Sequence, residues 1–136
     1  MSDARFFNSA VPGGFRCKLD ESAPGVARVV VTGELDLATG PALERKLHDA
    51  LVRARLIVLD LRGVSFCDST GLHLILRADE RARAEGRGLV IVRGSQQVQR
   101  LFALTCVDRH LEIVDDMEEA MAGSPKRRAG RTTRAA

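Results

Sequence analysis

Short β-branched runs alternate along the chain with segments in which apolar residues recur every three or four positions. The runs are typical of strands, and the longer period is typical of amphipathic helices. The run at 55–61 is almost continuously apolar, which indicates a central strand covered on both faces, and Gly63 is predicted to end it. Five strands are predicted in all, at residues 15–21, 26–32, 55–61, 89–92 and 111–114.

The first two strands are predicted to form a hairpin, and helices are predicted after the second strand and after each later one. Thr39 is a candidate N-cap of the first helix, and Pro41 lies in its first turn. The second helix begins after Asp68, Ser95 caps the third, and residues 117–122 form the fourth. Two strands followed by alternating helices and strands indicate a single α/β domain, in which a mixed, mostly parallel sheet has four or five strands.

The charge of the chain is divided unevenly between its parts. The 136 residues carry a net charge of +3, but the segment from Gly123 onward holds five basic residues and no acidic one. Residues 1–122 therefore hold sixteen basic and eighteen acidic residues, and their net charge is −2. We expect a flexible N-terminal segment at 1–13, a folded domain at 14–122 and a disordered basic tail at 123–136 whose removal leaves folding intact.

The composition argues against several function classes. With five Phe and no Trp or Tyr, the chain has few rings on which bases could stack, and we expect no direct nucleic-acid partner. Neither a Gly-rich phosphate loop nor a G-x-S-x-G segment occurs. His48, His73 and His110 are too isolated from one another for a zinc site. We therefore expect no cofactor and no bound metal.

Cysteine usage and the distribution of apolar residues bear on the compartment. Cys17, Cys67 and Cys106 are odd in number and widely spaced among apolar neighbours, which predicts reduced, buried thiols rather than disulfides. No segment has the length of a signal-peptide core or of a membrane span. We expect a cytoplasmic protein with no membrane partner.

Cys67 is the one thiol that suits an enzymatic nucleophile, because it precedes a predicted helix N-terminus, where a thiolate is stabilised. A phosphatase-type loop needs an arginine six residues after the cysteine, and that position holds His73. The apolar and acidic neighbours Phe66 and Asp68 also favour a structural role. An enzyme that uses Cys67 or Asp68 as its nucleophile is kept as an open alternative.

The segment Asp68-Ser69-Thr70-Gly71 stands where the central strand leads into the second helix. These residue types suit a helix start on structural grounds alone, since Asp or Ser caps, Thr fits the first turn and Gly eases the bend. The functional alternative is that the Thr70 hydroxyl is exposed at the C-terminal edge of the sheet, beside free backbone N–H groups. A phosphate on Thr70 would be tolerated by the helix but costly to bury in an interface, which suits a binding switch.

With these segments in view, the chain resembles the STAS-domain family, in particular the bacterial anti-sigma-factor antagonists. The resemblance covers about residues 15–122 and is carried by four segments in the same order, VTGELD at 31–36, IVLDL at 57–61, VSFCDSTGL at 64–72 and VQRLF at 98–102. It implies the STAS fold, in which helices pack mainly on one face of the sheet, and a protein that binds rather than catalyses.

The resemblance also implies partners and a regulatory site. In this family the unphosphorylated protein binds an anti-sigma factor, often a serine/threonine kinase, and thereby releases the sigma factor. Phosphorylation of the hydroxyl residue after Asp-Ser blocks binding, and a protein phosphatase restores it. In this chain that hydroxyl belongs to Thr70, where the antagonists most often have Ser. The residues implied to form the partner surface around it are Asp68, Ser69, Gly71, Glu34 and Asp36.

Two alternatives concern assembly and the tail. A protein that acts on an anti-sigma factor alone is expected to be a monomer or a weak dimer, whereas the alternative function is a STAS scaffold subunit of a larger stress-sensing assembly. The basic tail lies outside the family pattern, and the resemblance implies nothing about it.

Overall fold

The computed structural model describes residues 14–122, so the predicted flexible segment 1–13 and the predicted basic tail 123–136 lie outside the described residues. Five strands form one sheet: β1 (Arg16–Ala23), β2 (Val26–Leu35), β3 (Leu56–Cys67), β4 (Gly88–Val92) and β5 (Glu112–Val114). Four α-helices are interspersed with them: α1 (Gly40–Arg53), α2 (Ser69–Ala84), α3 (Gln96–Leu104) and α4 (Met117–Ala122). A short 3-10 helix at Val107–Arg109 precedes β5.

The strands lie in the sheet in their order along the chain, from β1 to β5. β1 and β2 form the predicted hairpin and run antiparallel, whereas β2, β3, β4 and β5 are parallel neighbours. Each parallel pair is joined through a helix, because the chain must return from the C-terminal edge of the sheet to its N-terminal edge. The prediction of a mixed, mostly parallel α/β sheet is confirmed, and the number of strands is five.

Alternate residues of the central strand face two different apolar layers. Ile57 and Leu59 of β3 point into the main core, which α1, α2 and α3 cover. Leu56 and Val58 point to the other face, where α4 covers a smaller cluster through Ala120. Both layers exclude water from β3, which explains its nearly continuous apolar run. Three of the four helices thus pack on one face of the sheet, as the resemblance implied.

Two glycines lie inside strands instead of ending them, so the prediction that Gly63 ends the central strand is wrong. The neighbouring strands leave no space for a side chain there, since a Cβ on Gly63 would lie 2.5 Å from the side-chain atom Cγ2 of Thr32, and one on Gly33 would lie 2.9 Å from the backbone Cα of Phe15. The pairing of β2 with β3 shifts register twice in this stretch, as happens at bulges. Both strands continue beyond the glycines, and their last residues reach the C-terminal edge of the sheet.

The three cysteines do not share one environment. Cys17 and Cys67 are buried, as predicted, and burial raises the pKa of each thiol to about 12. Cys106 is exposed, in a left-handed backbone conformation (φ 62°) where the chain turns after α3. Of its neighbours, Val107 is buried and Leu104 is exposed, because only one side of the turn contacts the core. The prediction of a buried thiol is therefore wrong for Cys106.

Candidate functional site

The C-terminal ends of β2 and β3 lie side by side and bring distant parts of the chain together. Leu35 pairs with Cys67 in the parallel register. The backbone N–H of Asp68 donates a hydrogen bond of 3.2 Å to the carbonyl of Leu35, which joins the start of α2 to the end of β2. The predicted site residues of the two segments therefore lie beside each other. We call residues 34–39 and 66–71 the loop edge.

Helix α2 begins at the loop edge with the predicted cap. Asp68 is the N-cap, and its Oδ1 accepts a hydrogen bond of 3.1 Å from the N–H of Gly71. Ser69 and Thr70 form the first turn, where Ser69 is exposed and Thr70 is half-buried. N–H groups of a first helical turn have no partner inside the helix, so Thr70 lies at the positive end of the helix dipole. An anionic group on this turn is therefore stabilised by the helix.

Gly71 shapes the loop edge from within. It is buried, and a Cβ in its place would lie 2.7 Å from Leu35 Cγ and 3.1 Å from Cys67 Sγ. The missing side chain lets the first turn of α2 pack directly on the end of β2. Gly71 is placed to act on a partner only through the position that it gives Ser69 and Thr70.

A hydrogen-bond network holds the loop between β2 and α1. Asp36 Oδ1 accepts bonds from the N–H groups of Ala38 at 3.0 Å and Thr39 at 3.2 Å. The Thr39 hydroxyl donates to the Glu34 carbonyl at 2.8 Å and accepts from the Asp36 N–H at 2.9 Å. Thr39 occupies the predicted N-cap position of α1 but makes no side-chain capping bond, because its hydroxyl is engaged in the loop. A threonine before a helix can either cap the helix or bond within the preceding loop, so the sequence pattern does not show that Thr39 bonds within the loop.

Two exposed apolar side chains flank these polar groups. Leu37 is 75% exposed and Phe66 is 47% exposed. Neither of them is among the residues that the sequence predicts for a partner surface. Leu37 interrupts the polar turn between Asp36 and Thr39, and an apolar residue inside such a turn is the signal that could have identified it.

Cys67 is a packing residue at this edge. Its buried thiol donates to the Asp68 carbonyl at 3.5 Å. Burial, with a smaller contribution from the Asp68 carboxylate, raises the pKa of Cys67 to about 12, so the thiol stays protonated near neutral pH. His73, at the position where a phosphatase loop has its arginine, is exposed on α2. These observations favour the structural role of Cys67 over the enzymatic alternative.

Three carboxylates give the loop edge a negative charge. Those of Glu34, Asp36 and Asp68 form no ion pair with a Lys or Arg of residues 14–122. Asp36 and Asp68 bind backbone N–H groups instead, and Glu34 is exposed. Because no Lys or Arg of the described residues neutralises these groups, a phosphate on Thr70 would add charge to an edge that is already negative.

Within the described part of the chain, no three His, Cys, Asp or Glu side chains converge as a metal site requires. None of the helices of residues 14–122 is long and apolar enough to cross a bilayer. The polar groups that the loop edge does present are carboxylates, hydroxyls and backbone N–H groups.

Comparison with known proteins gives matches across most of the domain. The STAS domain family matches residues 20–120. RsfB, an anti-sigma-F factor antagonist of Mycobacterium tuberculosis (strain ATCC 25618 / H37Rv), is 30% identical over 100 residues, which cover 73% of this chain and 81% of RsfB. The crystal structure of an anti-sigma factor antagonist from Mycobacterium paratuberculosis matches with a TM-score of 0.74 and 26% identity, over 82% of this chain and 95% of that chain.

A more distant structure shows the fold alone. SpoIIAA, a Bacillus cell fate determinant solved in its phosphorylated form, matches with a TM-score of 0.62 and 19% identity, over 78% of this chain and 96% of that chain. RsfB and the M. paratuberculosis protein bear the names of regulators and not of enzymes, in agreement with the predicted non-enzymatic function. The resemblance drawn from four sequence segments and the predicted STAS fold are both confirmed, and the chain belongs to the STAS-domain family.

Proposed function

We propose that this protein is an anti-sigma factor antagonist, whose unphosphorylated form binds an anti-sigma factor with serine/threonine kinase activity and releases the sigma factor. Phosphorylation of Thr70 by that kinase ends the interaction, and a protein phosphatase reverses the modification. The observation that carries the proposal is the position of the Thr70 hydroxyl on the first turn of α2, at an acidic edge without ion pairs to residues 14–122. The names of RsfB and the M. paratuberculosis protein support the function.

A phosphate on Thr70 changes the surface of the domain and leaves its fold intact. It adds a charge of about −1.5 to −2 near neutral pH, beside N–H groups that stabilise anions. Thr70 belongs to neither apolar cluster, so no core contact is lost. The Asp68 carboxylate, two residues before, opposes the new charge and keeps the net gain small. We therefore expect the free energy of unfolding to change little.

The same charge acts differently in an interface. A partner that covers the loop edge removes water from the phosphate and from the carboxylates of Glu34, Asp36 and Asp68. Each buried charge without a partner costs several kcal/mol. A kinase whose basic groups match three carboxylates has none left for a fourth anionic group, so phosphorylation abolishes binding while the fold persists.

Ser69 is the other hydroxyl on the same turn, and it is more exposed than Thr70. The assignment to Thr70 rests on the likeness of VSFCDSTGL to the family segment, in which the hydroxyl after Asp-Ser is modified. We expect the additional methyl group of threonine to slow phosphorylation relative to serine at this position.

The proposal predicts opposite effects of two substitutions at Thr70. Thr70→Ala retains binding and cannot be phosphorylated, whereas Thr70→Glu carries a permanent charge and binds about 100-fold more weakly, or about 2.7 kcal/mol. The immobilised Thr70→Ala protein captures the anti-sigma kinase from the source bacterium, and calorimetry with the purified kinase measures both affinities. Mass spectrometry after incubation with ATP locates the phosphate.

Ser69→Ala is the matched control, because it removes the neighbouring hydroxyl and should still be phosphorylated. All three variants should unfold at the temperature of the natural chain. Tight binding by Thr70→Glu would overturn the switch, and phosphate found on Ser69 in place of Thr70 would overturn the assignment of the acceptor.

We place this exchange in the bacterial cytoplasm, where sigma factors meet RNA polymerase, and we expect a monomer or a weak dimer. Size-exclusion chromatography of the full chain tests this expectation. A scaffold subunit of a larger stress-sensing assembly would elute as a large oligomer instead.

A further inference from the structure

Two exposed apolar side chains of the domain belong to the loop edge. Among residues 14–122, Val52, Leu104 and Met121 are also exposed; Met121 belongs to α4, which covers the other face of the sheet, and Val52 and Leu104 lie near the C-terminal ends of α1 and α3. Those ends lie at the opposite edge of the sheet, where the helices lead toward β3 and β5. Leu37 and Phe66 instead lie at the C-terminal ends of β2 and β3, the edge at which α2 and Thr70 begin.

The backbone that carries Leu37 is held on both sides. Asp36 Oδ1 binds the N–H groups of Ala38 and Thr39, and the Thr39 hydroxyl, on a residue that is 4% exposed, binds backbone groups on the other side of Leu37. The N–H of Gly40 donates a further bond of 2.8 Å to the Asp36 carbonyl. A single exposed leucine is common on protein surfaces. This one loses little conformational entropy when a partner buries it, because its backbone is ordered beforehand.

The Leu37 loop and the Thr70 segment are parts of one connected unit. The Asp68 N–H binds the carbonyl of Leu35, two residues before Leu37. Phe66 lies on the strand that pairs with this end of β2. A partner that contacts the first turn of α2 therefore meets Leu37 in a constant position.

Resting on the proposed function, we infer that Leu37 is the apolar anchor of the interface with the anti-sigma kinase. The kinase receives Leu37 in an apolar pocket bordered by basic side chains, which face the carboxylates of Glu34, Asp36 and Asp68. These carboxylates have no Lys or Arg partner among residues 14–122, so the charge of the loop edge is complementary to such a border. Phe66 extends the apolar contact. Buried apolar anchors within a polar rim are the usual composition of protein interfaces.

The substitution Leu37→Ser tests the anchor, and Leu104→Ser is its matched control, because Leu104 is 76% exposed at the opposite edge. The probe is the purified anti-sigma kinase that the Thr70→Ala protein captures. We expect Leu37→Ser to weaken binding about 30-fold, the loss typical of a central anchor. Leu104→Ser should change the affinity by less than about 2-fold. Both variants should unfold at the temperature of the natural chain, since exposed leucines contribute little to stability.

Salt dependence separates an apolar anchor from a charge effect. Salt screens the attraction between the carboxylates and the kinase, so it weakens the binding of the natural chain and of Leu37→Ser by the same factor. The ratio of their dissociation constants should therefore be the same at low and high salt. For Glu34→Gln, the ratio of its dissociation constant to that of the natural chain should fall toward one as salt is added.

The outcomes distinguish this inference from the proposed function. Equal affinities of Leu37→Ser and the natural chain, with binding by Thr70→Glu still weakened, would remove the anchor and leave the switch in place. Strong binding by both Leu37→Ser and Thr70→Glu would overturn the two together. Leu37→Met keeps an apolar side chain of similar volume and should retain most of the affinity, and a loss as large as that of Leu37→Ser would also contradict the anchor.

Discussion

Asp60 carries a carboxylate into the sheet and is only 4% exposed. Arg62 donates three hydrogen bonds to it, from its backbone N–H at 3.1 Å, from Nε at 3.0 Å and from Nη2 at 2.7 Å. Burial acts to raise the pKa of Asp60, but the hydrogen bonds and charge of Arg62, together with the charge of Arg28, outweigh it and hold the pKa below its ordinary value. Asp60 is therefore ionised in the folded domain and stabilises it through Arg62.

The depressed pKa of Asp60 predicts a stability that depends on pH. A carboxyl whose pKa is lower in the folded chain contributes stability above its unfolded pKa of about 3.9, and this contribution is lost as the pH falls toward the folded value. Asp60→Asn should lower the free energy of unfolding by about 1–3 kcal/mol near neutral pH, and by less at about pH 3. Urea denaturation at the two pH values measures both losses.

Asp20→Asn is the control for Asp60→Asn. The side chain of Asp20 is 40% exposed and pairs with Arg28 at 3.0 Å. Such exposed pairs contribute about 0–1 kcal/mol, so the loss should be small at either pH. An Asp60→Asn loss that is as large in acid as near neutrality would contradict the role assigned to the carboxylate.

Helix α2 and strand β2 meet at a contact that tolerates no side chain. Gly71, in the first turn of α2, lies against Leu35, which is fully buried. Gly40, the first residue of α1, is also buried, but a Cβ there would lie 3.4 Å from Leu74 Cδ1, an ordinary contact distance. Two glycines at helix starts therefore have different roles, which depend on the element that each helix packs against.

Gly71→Ala should destabilise the domain, although alanine favours helices by about 1 kcal/mol. The new Cβ would lie 2.7 Å from Leu35 Cγ, so α2 or β2 must shift. We expect the free energy of unfolding to fall by about 1–3 kcal/mol, as in other overpacked cores. Gly40→Ala should be neutral or slightly stabilising. Urea denaturation measures the midpoints of Gly71→Ala and Gly40→Ala. Equal midpoints would show that the contact with Leu35 does not require a glycine at position 71.

At the scale of the whole molecule, both apolar layers and the loop edge are formed by residues that the structure describes. The main core and the smaller cluster beneath α4 draw their residues from positions 15–120. The net charge is not uniform along the chain: residues 1–122 carry −2, whereas the complete chain carries +3. The basic isoelectric point of the chain thus reflects residues 123–136 and not the domain that carries the loop edge.

Removal of residues 123–136 should leave both the unfolding temperature and the affinity for the anti-sigma kinase unchanged. The expected reason is that this segment has no hydrophobic residue larger than Ala and so cannot bury enough surface to fold, and that the loop edge is formed by residues 34–39 and 66–71. Scanning calorimetry and kinase binding, each compared with the complete chain, measure the two quantities. A lower unfolding temperature would indicate that the tail contributes to the smaller cluster beside α4.

Local chemistry made the elements and the start of α2 predictable. The β-branched runs encode strands, and an aspartate before a helix encodes a cap, as Asp68 confirms. Local patterns failed where a neighbouring element decided the outcome. Gly63 stays inside β3 because β3 continues to pair with β2 beyond it, and Cys106 is exposed because the chain turns after α3.

The candidate acceptor Thr70 and its acidic cap were evident from consecutive residues, since capping and hydroxyl chemistry act over one helical turn. The resemblance also implied Glu34 and Asp36 as parts of the same partner surface, but the apolar side chains of that surface were not evident. The bond from Asp68 to Leu35, and the position of the Leu37 loop at the edge where α2 begins, depend on the parallel pairing of β2 with β3. That pairing joins segments separated by a complete helix, and no local propensity specifies which of their residues become neighbours. The carboxylates of Glu34, Asp36 and Asp68 were implied by the sequence segments, but only the tertiary structure decided that the exposed side chains of Leu37 and Phe66 lie at the same edge of the sheet.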